Sequence, residues 1–181
     1  MNKKTDNVSD IILRYFILVL VAIPNLWLFY QIFTPLTAYP VYWFLGLFYD
    51  ASILNNDIIL INQAVSIKLI EACIAGSAYY LLLILNLSTP GIKAKKRIKI
   101  LLMAFASFLI VNILRIFILS LIAVSGSSFI LGLFDITHRI FWYALSTIFV
   151  VAIWFAEVRL FRIKDIPFYS DIKFLYKSIG K

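Results

Sequence analysis

The chain contains one cysteine and one histidine. That pair excludes an internal disulfide and any Cys/His zinc site, so no metal or other cofactor is expected. Charged residues make up only 14% of the sequence, too few for an ordinary soluble domain. No internal repeat and no low-complexity segment interrupts it. What fills the chain instead is apolar: 63% of its 181 residues, with 17% aromatic and a mean hydropathy of +0.97. A net charge of +8 would suggest a nucleic-acid partner in a soluble protein. Here the Lys and Arg residues cluster in short segments beside apolar runs, which points to membrane topology and lipid headgroups, with no nucleic-acid partner.

Hydrophobic run lengths predict an all-α polytopic membrane protein with about four transmembrane helices. A first span over 11–33 reads as a signal anchor, loosened at Pro24. The aromatic segment TPLTAYPVYWFLGLFYD (34–50), interrupted by Pro35, Pro40 and Gly46, predicts an interfacial or re-entrant helix. In AVSIKLIE, Val65, Ile67 and Leu69 alternate with Ser66 and Lys68, so 57–72 reads as a small β-hairpin outside the bilayer. A second span over 72–87 ends at the turn signal STPG. The loop IKAKKRIK (92–99) has five positive charges and no acid, which makes it cytoplasmic. Spans over 100–124 and 138–158 follow, joined by a short outer connection, and the basic tail 159–181 lies on the inner leaflet. The expectation is one membrane-embedded domain over 1–181, with core 34–160. It is multi-pass in the cytoplasmic membrane, with cytoplasmic termini and residues 34–72 on the extracytoplasmic side.

With that topology, three polar groups fall at one depth. Cys73 opens the second span and His138 opens the fourth. Arg115 lies sixteen residues beyond Lys99, ~24 Å up a helix in a ~30 Å core. Taken alone, the cysteine is a packing residue and the histidine an interfacial one. An arginine inside a span is costly enough to imply a role or a partner. Together they fit cysteine chemistry. The thiol would be activated by a helix N-terminus and a cation, Arg115 would hold an oxyanion, and His138 would carry the proton. Glu71 is a helix-start acid or a supporting group, and Asp135 either caps a helix or fixes the His138 tautomer. Asn112 shares the Arg115 face, and Ser77 and Tyr80 share the Cys73 face.

These residues resemble the exosortase/archaeosortase family of membrane cysteine transpeptidases, over roughly 34–160. The resemblance rests on TA in PLTAYPVYWFLGL, on VSIKLIEAC, on NILRI (112–116) and on HRIFWYALSTIF (138–149). Many members place glycine two residues after the cysteine, whereas here Gly76 stands three after. The resemblance implies Cys73 as nucleophile, Arg115 as the essential arginine and His138 as the third catalytic member. It also implies substrate proteins carrying a C-terminal motif, an apolar helix and a basic tail, and release of the tail through a thioester. A membrane lipid or another acceptor would then take the acyl group. Two other classes stay open: a small transporter or channel with Arg115 and His138 on its path, and an assembly subunit in which the cysteine is incidental.

Overall fold

A computed structural model of the chain describes residues 8–125, 146–163, 165–169, 171–173 and 176. In chain order the elements are α1 (Val8–Ala22), α2 (Trp27–Gly46), β1 (Ala51–Leu54), β2 (Ile58–Ile61) and β3 (Val65–Lys68). The short turn α3 (Glu71–Ile74), then α4 (Gly76–Leu87), α5 (Ala94–Val124) and α6 (Ser146–Phe161) follow.

The central element is α5. Its buried residues Ile100, Ala104, Phe108, Asn112, Arg115, Ile116 and Leu119 recur at three- and four-residue spacing, forming one stripe that meets α2, α4 and α6. Its opposite side exposes Leu102, Ile110, Leu114 and Ile118. Packing is strongly aromatic. Phe33 and Tyr79 stack with ring centroids 3.7 Å apart, and Phe105 and Phe108 meet Tyr79 edge-on.

The expectation of about four spans does not hold. Among the described residues one helix, α5, is long and apolar enough to cross a membrane. The first span, expected over 11–33, is divided: Pro24 cannot continue the helix, and Asn25 and Leu26 follow at φ 47° and 59°. Helices α1 and α2 pass the same test only as one pair bent by 68°. The segment expected to be interfacial is the second half of α2, which continues through Pro35 and Pro40. Its stripe Phe29, Phe33, Thr37, Ala38, Val41 and Leu45 is buried, and that packing outweighs a cost of ~3 kcal/mol per interior proline. The second span shortens to the 12 residues of α4. Of the fourth, expected over 138–158, 138–145 lie outside the described residues and the rest falls within the 16-residue α6.

The expected hairpin is a three-stranded antiparallel sheet in the order β1-β2-β3. Both connections use residues that tolerate positive φ: Asn55 and Asn56 between β1 and β2, and Asn62 and Gln63 between β2 and β3. Asn62 closes the sheet end by exchanging bonds with Asp50. Its backbone N–H donates to the Asp50 carbonyl at 2.7 Å, and its side-chain oxygen accepts from the Asp50 N–H at 3.1 Å. Ile59 and Ile61 are fully buried, and the sheet leans on α2 and α5.

At the opposite end, polar groups lock the elements together. Arg14 pairs with Asp171 at 2.9 Å and donates to the Leu87 carbonyl, while Tyr15 reaches the same carboxylate. The Phe168 N–H donates to the Ser88 carbonyl. The part of the basic tail that is described therefore docks on the bundle, with Ile166, Tyr169 and Ile172 exposed. Arg97 donates to the carbonyls of Asn86 and Thr89, and the buried Asn86 amide donates to Glu157 at 3.2 Å.

Between α3 and α4 the chain is broken at Ala75, at φ 58° and ψ 46°. A side chain there is strained by about 1–2 kcal/mol, and glycine would not be. The glycine of this stretch stands one residue later for a different reason: a Cβ at Gly76 would come within 2.7 Å of the Tyr30 ring. Replacing Ala75 by glycine relieves that strain but adds unfolded-state entropy and removes a buried methyl, so it is expected to change stability by less than about 1 kcal/mol. Gly76→Ala should lower it. Thermal unfolding of both variants in detergent checks the pair.

A candidate thiol site beside a free strand edge

Cys73 lies in the α3 turn, after the sheet and before the break at Ala75. The turn forms because the Ile70 carbonyl accepts the Cys73 N–H at 2.7 Å and Glu71 accepts the Ala75 N–H at 3.1 Å. It is four residues long and separate from α4. The expected activation of the thiol by the N-terminus of a spanning helix is therefore not available, because the peptide dipoles of α4 begin after the left-handed break.

Asn112 joins this turn to α5. Its side-chain amide donates to the Cys73 carbonyl at 3.0 Å and to the Ile74 carbonyl at 3.4 Å. Its oxygen faces Arg115, whose Nη1 lies 3.5 Å away. One residue thus holds the backbone of the thiol and the head of the guanidinium in fixed relation. Arg115 is 5% exposed, and its Nε and Nη2 have no hydrogen-bond partner among the described residues. A buried guanidinium with free donors is costly unless something else meets them.

Cys73 and Arg115 line one cavity of about 340 Å³. Its other walls are strand β3 and the α5 residues Ile116, Leu119 and Ser120. Burial pushes the Cys73 thiol above the usual range, and this is the largest influence on it. A backbone hydrogen bond at Ile70 and the charge of Arg115 act the other way. The resting sulfur is therefore more thiol than thiolate at neutral pH. The arrangement supplies a partly buried nucleophile, a buried guanidinium beside it whose charge suits a developing oxyanion, and an apolar wall for a substrate chain.

The other sequence candidates separate. Asn112 sits where its shared face with Arg115 suggested. Glu71 is exposed at the start of α3. Ser77 is exposed and lines a different pocket, with Ser146 and Thr147. Tyr80 points toward α1, donating to the Leu18 carbonyl at 3.1 Å. Both leave the Cys73 face because the break at Ala75 rotates α4 relative to the α3 turn. His138 and Asp135 lie outside the described residues. The sequence reading did not select Ser66, Lys68 and Ser120 for the site, although the alternation around Lys68 was visible.

Comparison with known protein families, with curated proteins and with solved structures finds no match for this chain.

Since the Arg115 charge favours the thiolate, its removal should push the Cys73 pKa higher still. Alkylation by iodoacetamide should rise with pH in the native protein, and the Arg115→Met profile should lie at higher pH. A profile that is unchanged or shifted downward would separate the two residues electrostatically.

Proposed function

We propose that this chain is a membrane-associated cysteine peptidase or transpeptidase acting on exported proteins, with Cys73 as nucleophile and Arg115 as oxyanion donor. The observation that carries this reading is the convergence of Cys73 and the buried Arg115 on one cavity, tied by Asn112; among the described residues the Nε and Nη2 of Arg115 have no hydrogen-bond partner. In the reaction, Cys73 Sγ bonds to a substrate carbonyl carbon and the C–N bond breaks. The thiol proton ends on the leaving amine, and a thioester remains. An acceptor amine, hydroxyl or water then takes the acyl group and returns a proton to sulfur. His138, which the family resemblance makes the third catalytic member, is the proposed proton carrier.

Membrane association is supported by the length of α5 and by its apolar exterior, along with exposed Ile12, Phe16, Leu20, Trp27 and Trp43 on α1 and α2. The proposed orientation follows the charges. The basic residues 93–99 at the start of α5 lie on the cytoplasmic side, and the cavity lies near the outer boundary. A substrate cleaved there would carry its scissile bond just beyond its own membrane helix. This is the position expected for a C-terminal motif followed by an apolar helix and a basic tail. A lipid headgroup is a natural acceptor at that depth.

A conducting path is disfavoured. Between the polar groups at Asn112 and those at Asn86 lies a tight apolar layer of Tyr79, Leu82, Ala104 and Phe108, all 2% exposed or less.

The test is processing of an exported protein with such a C-terminal tail, co-expressed with the native chain or its variants. Cys73→Ala and Arg115→Ala should each abolish release of the tail while the protein stays folded and inserted. A membrane-impermeant maleimide added outside intact cells should label Cys73. Normal processing by Cys73→Ala would end the reading.

A further inference from the structure

The cavity is bordered by consecutive residues of β3, from Val65 to Lys68, and not by alternate ones. A cavity above one face of a strand meets every second residue, whereas one that runs along the strand's edge meets them all. Among the described residues β3 is an edge strand, paired only with β2. The direction of its backbone groups follows from the ladder. The Leu69 N–H donates to the Asp57 carbonyl at 2.7 Å, which directs the backbone of Leu69 toward β2. By alternation in an antiparallel pair, Ile67 and Val65 also point to β2, in agreement with their partners Ile59 and Ile61. The N–H and C=O groups of Ser66 and Lys68 then point the other way, along the cavity. Among the described residues, none of these four groups has a hydrogen-bond partner. Edge groups left open in this way form a template for another strand.

We infer that this edge is the substrate subsite: an extended polypeptide segment adds to β3 as a fourth strand, its backbone paired with Ser66 and Lys68 and one carbonyl carried on to Cys73. The inference rests on the reading of Cys73 as the nucleophile and names the form in which the substrate is held. Two further observations choose a polypeptide as occupant. Arg115 borders the same cavity, and its charge suits a peptide carbonyl oxygen placed beside it. The other wall, Ile116 and Leu119, is apolar and suits the alternate side chains of a strand. The Lys68 side chain is exposed beside the edge and favours an acidic substrate residue opposite it. Recognition of this kind reads the main chain first and side chains second, so it fits an enzyme that accepts several proteins with a short motif.

The probe is the peptide aldehyde acetyl-Thr-Glu-Val-Thr-alaninal, used with the full chain in detergent. With the native protein, Cys73 sulfur adds to the aldehyde carbon, the carbonyl oxygen takes the thiol proton, and a hemithioacetal forms without any other reactant. Two further versions carry backbone N-methyl groups, one on each alternate set of residues. Only one set faces β3, so that version should lose at least tenfold in adduct formation by mass spectrometry while the other stays within about twofold. In Cys73→Ala, the parent peptide should slow hydrogen exchange at the Ser66 and Lys68 amides. Equal effects of the two methylated sets, with adduct still formed, would overturn strand addition and leave Cys73 as the nucleophile. Exchange protection in Cys73→Ala without adduct in the native protein would keep the edge and remove the thiol chemistry. Absence of both adduct and protection would overturn strand addition.

Discussion

A guanidinium held almost wholly out of water is the constraint around which this end of the molecule is arranged. Arg115 can be kept there because α5 places Asn112 one turn below it, and Asn112 spends its amide on the backbone of the α3 turn. Among the described residues that leaves the arginine one hydrogen bond, at 3.5 Å, and two nitrogens without a partner. In a region built for stability alone, such donors would be matched or replaced by apolar atoms. Here the cavity beside them is open, and the thiol borders it.

The two ends of the bundle treat charge in opposite ways. At the basic end, Arg14 and Arg97 are consumed by carbonyls and by Asp171, so positive charge is turned into structure that binds α1, α4, α5 and the residues after α6. At the thiol end, the described residues offer Arg115 no carboxylate and a single amide oxygen. The aromatic layer around Phe33, Tyr79 and Phe108 separates them, and it is dense enough that neither end needs polar support from the other.

Part of this was legible in the sequence. The cost of an arginine in an apolar helix marked Arg115, and helical spacing marked Asn112 as its neighbour. Alternation marked β3. The number of spans was not legible from run length, because apolar residues in this chain form two kinds of surface. In α2 the run crosses two prolines, since buried Phe33, Ala38 and Val41 hold it to α5. In the run ending at Leu87, a left-handed alanine cuts the helix to 12 residues. Alanine carries no mark of positive φ, so nothing in CIAG announced the break, and Ser77 and Tyr80 were assigned to a face that the break rotates away. The strand β1 was hidden for a simpler reason: ASIL is too short to display a period.

The same break has a mechanical meaning. Because the α3 turn ends before α4 begins, Cys73 is an extension of the sheet, four residues beyond Leu69, and the turn is hydrogen-bonded to α5 through the Cys73 and Ile74 carbonyls. The sulfur and the strand edge therefore share one frame of reference. Asn112 extends that frame to α5, so the strand edge, the sulfur and the guanidinium form one template whose three parts meet at a single amide.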